Sequence, residues 1–161
     1  MQKYTSTIKL LFTLLLIVGI SACNNNNPYY FTNDYSDAPD FPDTTTAISK
    51  VIDEDGLAIY TLQEGHGDLE VTIRDNVYIY FTGFYRTTNR DDIFESSYVN
   101  GSTSASIVTG VGNYSTTKGE GFVRGILGMK VGERRALVVP DSLNVYGVPV
   151  YYDIEVASIE Y

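Results

Sequence analysis

The run Val77-Tyr78-Ile79-Tyr80-Phe81-Thr82-Gly83-Phe84-Tyr85 leaves the chain little choice. β-Branched and aromatic side chains lose freedom in a helix and fit a pleated surface. A period of two puts Val77, Ile79 and Phe81 on one face, with Tyr78, Tyr80 and Thr82 on the other. Other segments follow the same logic. Leu57 to Gln63 is rich in strand formers after an Asp55-Gly56 turn, and Leu69 to Arg74 alternates as a half-buried strand should. Ile93 to Tyr98, Ser104 to Thr109, Arg135 to Val139 and Val150 to Ile159 complete the set. The last alternates at Tyr152, Ile154, Val156 and Ser158. Only Glu120 to Met129 invites a helix, with Phe122, Val123, Ile126, Leu127 and Met129 near helical spacing. Gly121, Gly125 and Gly128 weaken it by ~1 kcal/mol each against alanine. Such a helix needs tertiary packing to persist. Many antiparallel strands and one short helix make an α+β domain.

The N-terminal residues 1–22 read as an address. Lys3 and Lys9 make a basic start, and Leu10 to Ile20 is an apolar run too short to span a bilayer as a helix. It suits the apolar region of a secretory signal. It ends in Ile20-Ser21-Ala22-Cys23, which resembles the bacterial lipobox and implies cleavage before Cys23 and acylation there. The plain alternative is a signal peptide with a chance cysteine. Cys23 is the only cysteine, so no intramolecular disulfide framework exists and the domain must fold on its hydrophobic core.

Residues 23–50 read as a lipidated cysteine followed by a disordered tether. Asparagines follow Cys23, and Asp34, Asp37, Asp40 and Asp43 recur among Pro28, Pro39, Pro42 and the threonines 44–46. Such composition lacks the apolar periodicity that orders a chain. As a coil it would span ~30 Å. The aspartates suit solvated charge better than a calcium tract. Tyr29, Tyr30, Phe31 and Tyr35 are odd for a spacer and suggest packing on the domain or on a partner. The folded domain is expected over 51–161, as a monomer. A formal charge of −9 repels phosphate backbones, so nucleic acid is not an expected partner.

Chemistry that needs a base has little to work with. His66, the only histidine, sits between glycines in an acidic turn and reads as solvated. No second histidine and no thiol stands ready for nucleophilic catalysis or a zinc site, so neither metal nor cofactor is expected. Gly119, Gly121 and Gly125 have the wrong spacing for dinucleotide binding.

Two stretches carry more. The first is Val77 to Gly83 followed by Phe94-Glu95-Ser96-Ser97. The second is Gly121 to Arg135, containing Gly128-Met129-Lys130-Val131-Gly132-Glu133-Arg134-Arg135, and running on to Pro140 and Tyr146-Gly147. Together they resemble the FKBP-type peptidyl-prolyl isomerase domain over residues 56–161. The resemblance implies an FKBP-like curved antiparallel sheet wrapped around one short α-helix, with a substrate pocket between them. It also implies site residues. Phe81 stands at the tyrosine of Tyr-Thr-Gly, and Phe94 and Glu95 at Phe-Asp. Phe122 stands at the pocket-floor tryptophan, Tyr146 at the tyrosine whose hydroxyl bonds a ligand carbonyl, and Tyr152 at a late aromatic wall position. Read from the residues alone, Phe81, Phe94 and Phe122 are core residues before they are pocket residues.

The departures are specific. Phe81 lacks a hydroxyl, Glu95 is one methylene longer than aspartate, and Phe122 is smaller than tryptophan. Lys118-Gly119 stands where the family has Val-Ile, whose backbone N–H binds the peptide. Only Val148-Pro149-Val150 separates Tyr146-Gly147 from the final strand, where the family carries a long overhanging loop. The implied activity is peptidyl-prolyl cis–trans isomerisation on proline-containing, unfolded or extracytoplasmic polypeptides. The setting would be the cell envelope, anchored through Cys23 in the outer membrane or on the periplasmic face of a Gram-negative bacterium. The alternative is a non-catalytic FKBP-like module that binds polypeptide or serves an envelope complex.

Overall fold

Strand formers and turns place seven strands and one α-helix in the computed structural model, which describes residues 32–161. The leader, Cys23, and Tyr29 to Phe31 lie outside the described residues. The strands are β1 (Ser49–Ile52), β2 (Ala58–Gln63), β3 (Asn76–Tyr85), β4 (Ile93–Ser96), β5 (Ser106–Val108), β6 (Arg134–Val139) and β7 (Val150–Glu160). They form one antiparallel sheet in the order β1-β2-β6-β7-β3-β4, with β5 also paired to β3. The helix α1 (Glu120–Ile126) lies against the curved face. The expected α+β, FKBP-like architecture is the observed one.

β3 and β7 form the spine, paired from Asn76 opposite Glu160 to Tyr85 opposite Val150. Val77, Ile79 and Phe81 turn inward with Tyr152, Ile154 and Val156 and meet Phe122, Val123 and Ile126 of α1. Thr82, on the opposite face, is buried all the same. A register shift between Tyr78 and Ile79 changes the parity of β7 near its end, so Ile159 joins the core and Ser158 does not. The glycines of α1 have a packing reason. A Cβ at Gly125 would lie 2.2 Å from Leu137 Cδ1, and one at Gly121 2.4 Å from Val139 Cγ1. Helix and sheet therefore touch backbone to side chain, and the packing supplies what intrinsic propensity lacks.

α1 stops at Ile126, earlier than the expected Met129. Leu127 turns extended and Gly128 takes φ +74°. The Arg135 guanidinium donates to the carbonyls of Gly125 and Leu127, both at 3.0 Å, ending the helix with a cation at its negative pole.

Two other expectations change. Leu69 to Arg74 is not a strand. Val71 alone of its apolar residues is buried, exchanging hydrogen bonds with Met129 O and Gly128 N, while the Asp75 carboxylate accepts from Thr72 N–H and turns the chain. Residues 33–50, read as tether, belong to the folded unit, which begins at Asn33. Arg90 donates to the carbonyls of Tyr35, Ser36 and Ala38 and pairs with Asp40. The Tyr35 hydroxyl donates to Phe94 O at 2.9 Å, and Phe41 packs edge-on against Phe84 and Tyr151. β1 then adds an edge strand whose residues are all exposed, which is why no alternation announced it.

Candidate active site

The residues singled out in the sequence come from four separate elements and one loop. Phe81 lies on β3, Phe94 and Glu95 on β4, Phe122 on α1, Tyr146 in the loop before β7, and Tyr152 on β7. Their rings converge. Phe94 meets Tyr146 at 4.9 Å and Tyr152 at 5.9 Å, and Tyr152 meets Phe122 edge-on at 5.1 Å. Phe122 and Tyr152 are fully buried, Phe81 nearly so, and Phe94, Glu95 and Tyr146 are half-buried. The arrangement is a wall of rings with a dry floor and a wet rim.

Local chemistry places each ring. Gly83 is the close-approach residue of Thr82-Gly83. A Cβ there would lie 2.8 Å from Phe94 Cζ and 3.0 Å from Tyr152 Cε1, so its absence lets both rings lie over the strand. Ser96 and Ser97 clasp the Phe81 backbone. Ser97 Oγ accepts from Phe81 N–H at 3.0 Å, and Ser97 N–H donates to Phe81 O at 2.9 Å. The short connection before β7 is folded around Asn144. Its Oδ1 accepts from the N–H groups of Tyr146 and Gly147, and its Nδ2 donates to Pro140 O and Val148 O. Asn144 thus fixes Tyr146 at the rim in place of a long loop.

Two residues were missed as site members. Tyr85 stacks on Phe94 at 4.1 Å and meets Tyr146 at 5.3 Å. It is legible in retrospect, since it continues the Phe81 and Gly83 face at period two. The Lys118 side chain is the other. It is 9% exposed, ion-paired with Glu95, and its Nζ stands 5.2 Å from the Phe81 ring centroid and 5.4 Å from that of Phe122. Nothing in the local sequence marks a lysine that turns inward. The backbone N–H groups at this point are also committed. Those of Lys118 and Gly119 both donate to Tyr114 O, at 2.8 and 3.2 Å, so the N–H that the resemblance offers to a peptide is already paired.

The floor holds an unusual group. The Tyr152 hydroxyl is buried and finds no hydrogen-bond partner among the described residues. Its polar neighbour is the Tyr146 hydroxyl, which lies close enough for each phenol to shift the other. Burial, first, and then the Tyr146 and Glu95 neighbourhood push the Tyr152 phenol far above its usual range. Tyr146 is raised as well, chiefly by burial. A groove of about 170 Å³ is lined by Pro39, Tyr80, Phe81, Tyr98, Arg134, Asp153 and Glu155, so it shares Phe81 with the ring cluster but none of its other aromatic members.

Residues 67–148, about half of the chain, match the FKBP-type peptidyl-prolyl cis-trans isomerase family. The chain belongs to that family. FK506-binding protein 1A of Neurospora crassa is 33% identical over 96 residues, which cover 58% of this chain and 70% of that protein. FkpA from Escherichia coli superimposes with a TM-score of 0.55 at 19% identity, covering 69% of this chain and 51% of its own. A peptidyl-prolyl isomerase from Pseudomonas syringae gives 0.52 at 16% identity, covering 73% of this chain and 86% of its own. This FKBP-type chain spans about half the length of FkpA, and at these identities both structures speak to the fold alone. The enzyme class read from the sequence, a peptidyl-prolyl isomerase, is the class of this family.

Proposed function

We propose that the ring cluster catalyses peptidyl-prolyl cis–trans isomerisation on polypeptides outside the cytoplasm, with the domain held to a bacterial envelope membrane through a lipid on Cys23. The single observation that carries the catalytic part is the chain of ring contacts that joins Tyr146, Phe94, Tyr152 and Phe122. The location is supported by the basic start, the apolar run and Ile20-Ser21-Ala22-Cys23.

The reaction needs no base and no nucleophile. Its barrier is amide resonance, ~18–20 kcal/mol. Twisting the imide localises the nitrogen lone pair and lowers the polarity of the carbonyl, so the twisted form loses less on leaving water. A prolyl ring packed against Phe81, Phe94 and Phe122 would be shielded on its apolar side. The Tyr152 hydroxyl at the floor and the Tyr146 hydroxyl at the rim are the phenolic donors for carbonyl oxygens. The enzyme thereby binds the twisted amide better than the planar one.

Acceleration of a proline-limited refolding reaction tests the reading. The full chain is expected to accelerate it, and Phe94→Ala or Tyr146→Ala to cut kcat/KM by about tenfold or more. A second reading, polypeptide binding without turnover, draws on the committed N–H groups of Lys118 and Gly119. Binding of unfolded chains with no acceleration at micromolar enzyme would select it. Globomycin-sensitive processing and loss of membrane attachment in Cys23→Ser test the anchor.

A further inference from the structure

Among the described residues Lys118 is the one buried cation, and it sits against Phe81, Phe122 and Glu95 of the site. Its ammonium covers the faces of Phe81 and Phe122, at 5.2 and 5.4 Å from their centroids. A cation over an aromatic face is held by the ring quadrupole, more firmly where water is excluded. The partner carboxylate is placed differently. The Glu95 side chain is 43% exposed against 9% for Lys118, so Glu95 reaches the rim while Lys118 fills the interior.

Resting on the isomerase reading of this site, we infer that Lys118 is an internal stand-in for substrate, and that with Glu95 it selects prolines flanked by a lysine or arginine. A prolyl ring cannot pack between Phe81 and Phe122 while the ammonium covers both. Entry of the ring displaces Lys118 and leaves the Glu95 carboxylate at the rim. A neutral neighbour of the proline replaces only half of what Lys118 supplied. A basic neighbour replaces both halves: the ring takes the aromatic faces, and the cation takes Glu95. An acidic neighbour meets Glu95 and a chain of formal charge −9. The buried Tyr152 hydroxyl, without a partner among the described residues, gives the entering segment a donor for one of its carbonyls.

The test uses the folded chain and tetrapeptides that differ only before proline, with Lys, Ala or Glu, followed by NMR titration. The Lys-Pro peptide is expected to bind about tenfold more tightly than Ala-Pro, with Glu-Pro the weakest, a difference of about 1.4 kcal/mol. Lys118→Ala should tighten Ala-Pro binding about tenfold, since nothing then has to leave. Glu95→Gln keeps the size of the side chain and should level the three peptides, so the inference stays testable if Lys118→Ala does not fold. Reductive methylation of Lys118, followed by peptide mapping, should be slow in the free protein and fast with saturating Lys-Pro peptide. Equal binding of the three peptides, or Lys118 labelling indifferent to peptide, overturns the inference. If refolding is catalysed while Lys118 stays protected throughout, only this inference is lost. If Lys-Pro peptide exposes Lys118 but refolding is not accelerated, the inference stands and catalysis is lost.

Discussion

The two faces of the β3–β7 spine carry aromatic clusters of opposite purpose. On the outer face Phe41, Phe84 and Tyr151 pack edge to face, and the chain's own N-terminal segment covers them. Arg90 satisfies the carbonyls of that cover. On the inner face Phe94, Tyr85, Tyr146, Tyr152 and Phe122 meet just as closely. There the cluster has a buried ammonium against Phe122 and includes a phenol without a partner among the described residues. Ring density does not separate a core from a pocket. What separates them is polar chemistry retained where packing alone would remove it.

Phe84→Ala gives the largest expected effect. It opens a cavity on the closed face and should cost about 3–5 kcal/mol in chemical denaturation. Activity of the folded fraction should stay within about twofold, since nothing near the inner rings moves. A selective loss of activity with stability intact would erase the distinction between the faces.

Asn144→Ala comes next. It removes the acceptor for Tyr146 and Gly147 N–H and the donor to Pro140 O and Val148 O. A loss of about 1–3 kcal/mol is expected, together with a fall in kcat/KM through a loosened Tyr146. Hydrogen exchange at Tyr146 and Gly147 should rise in step with the kinetic loss.

Tyr152→Phe is the smallest change and sharpens the comparison most. Removing an unpaired buried hydroxyl should leave stability unchanged or raise it by about 1 kcal/mol. Peptide affinity should fall if the hydroxyl serves a substrate carbonyl. The pH dependence has a definite sign. The folded-state phenol is raised above its ordinary value, so the unfolded chain releases this proton first as pH rises. Stability should be fully present below about pH 10 and decline above it. The decline should be shallower in Tyr152→Phe, as read from alkaline denaturation midpoints.

How much of this was legible in the chain differs by element. β3 announced itself because its inner face is uniformly apolar and its period is two. β1 did not, because neither face is buried and only pairing with β2 makes it a strand. Leu69 to Arg74 alternated convincingly, yet a buried Asp75 turned it away from the sheet. Phe94, Glu95, Phe122, Tyr146 and Tyr152 became candidates because their spacing matched a known family, while the local sequence of Phe81, Phe94 and Phe122 favoured a core role.

The sequence by itself determined the alternation that makes the sheet, the glycines that let helix and rings approach it, and membership in the FKBP-type family. Those properties are local, carried by periodicity and by the absence of a Cβ. Only the tertiary structure decided that residues 35–41 close the outer face, that Asn144 stands in for a missing loop, and that Lys118 lies against Phe81 and Phe122. Each of these joins parts of the chain that periodicity cannot connect. The free energy of a buried charge or an unpaired hydroxyl depends on what surrounds it in space.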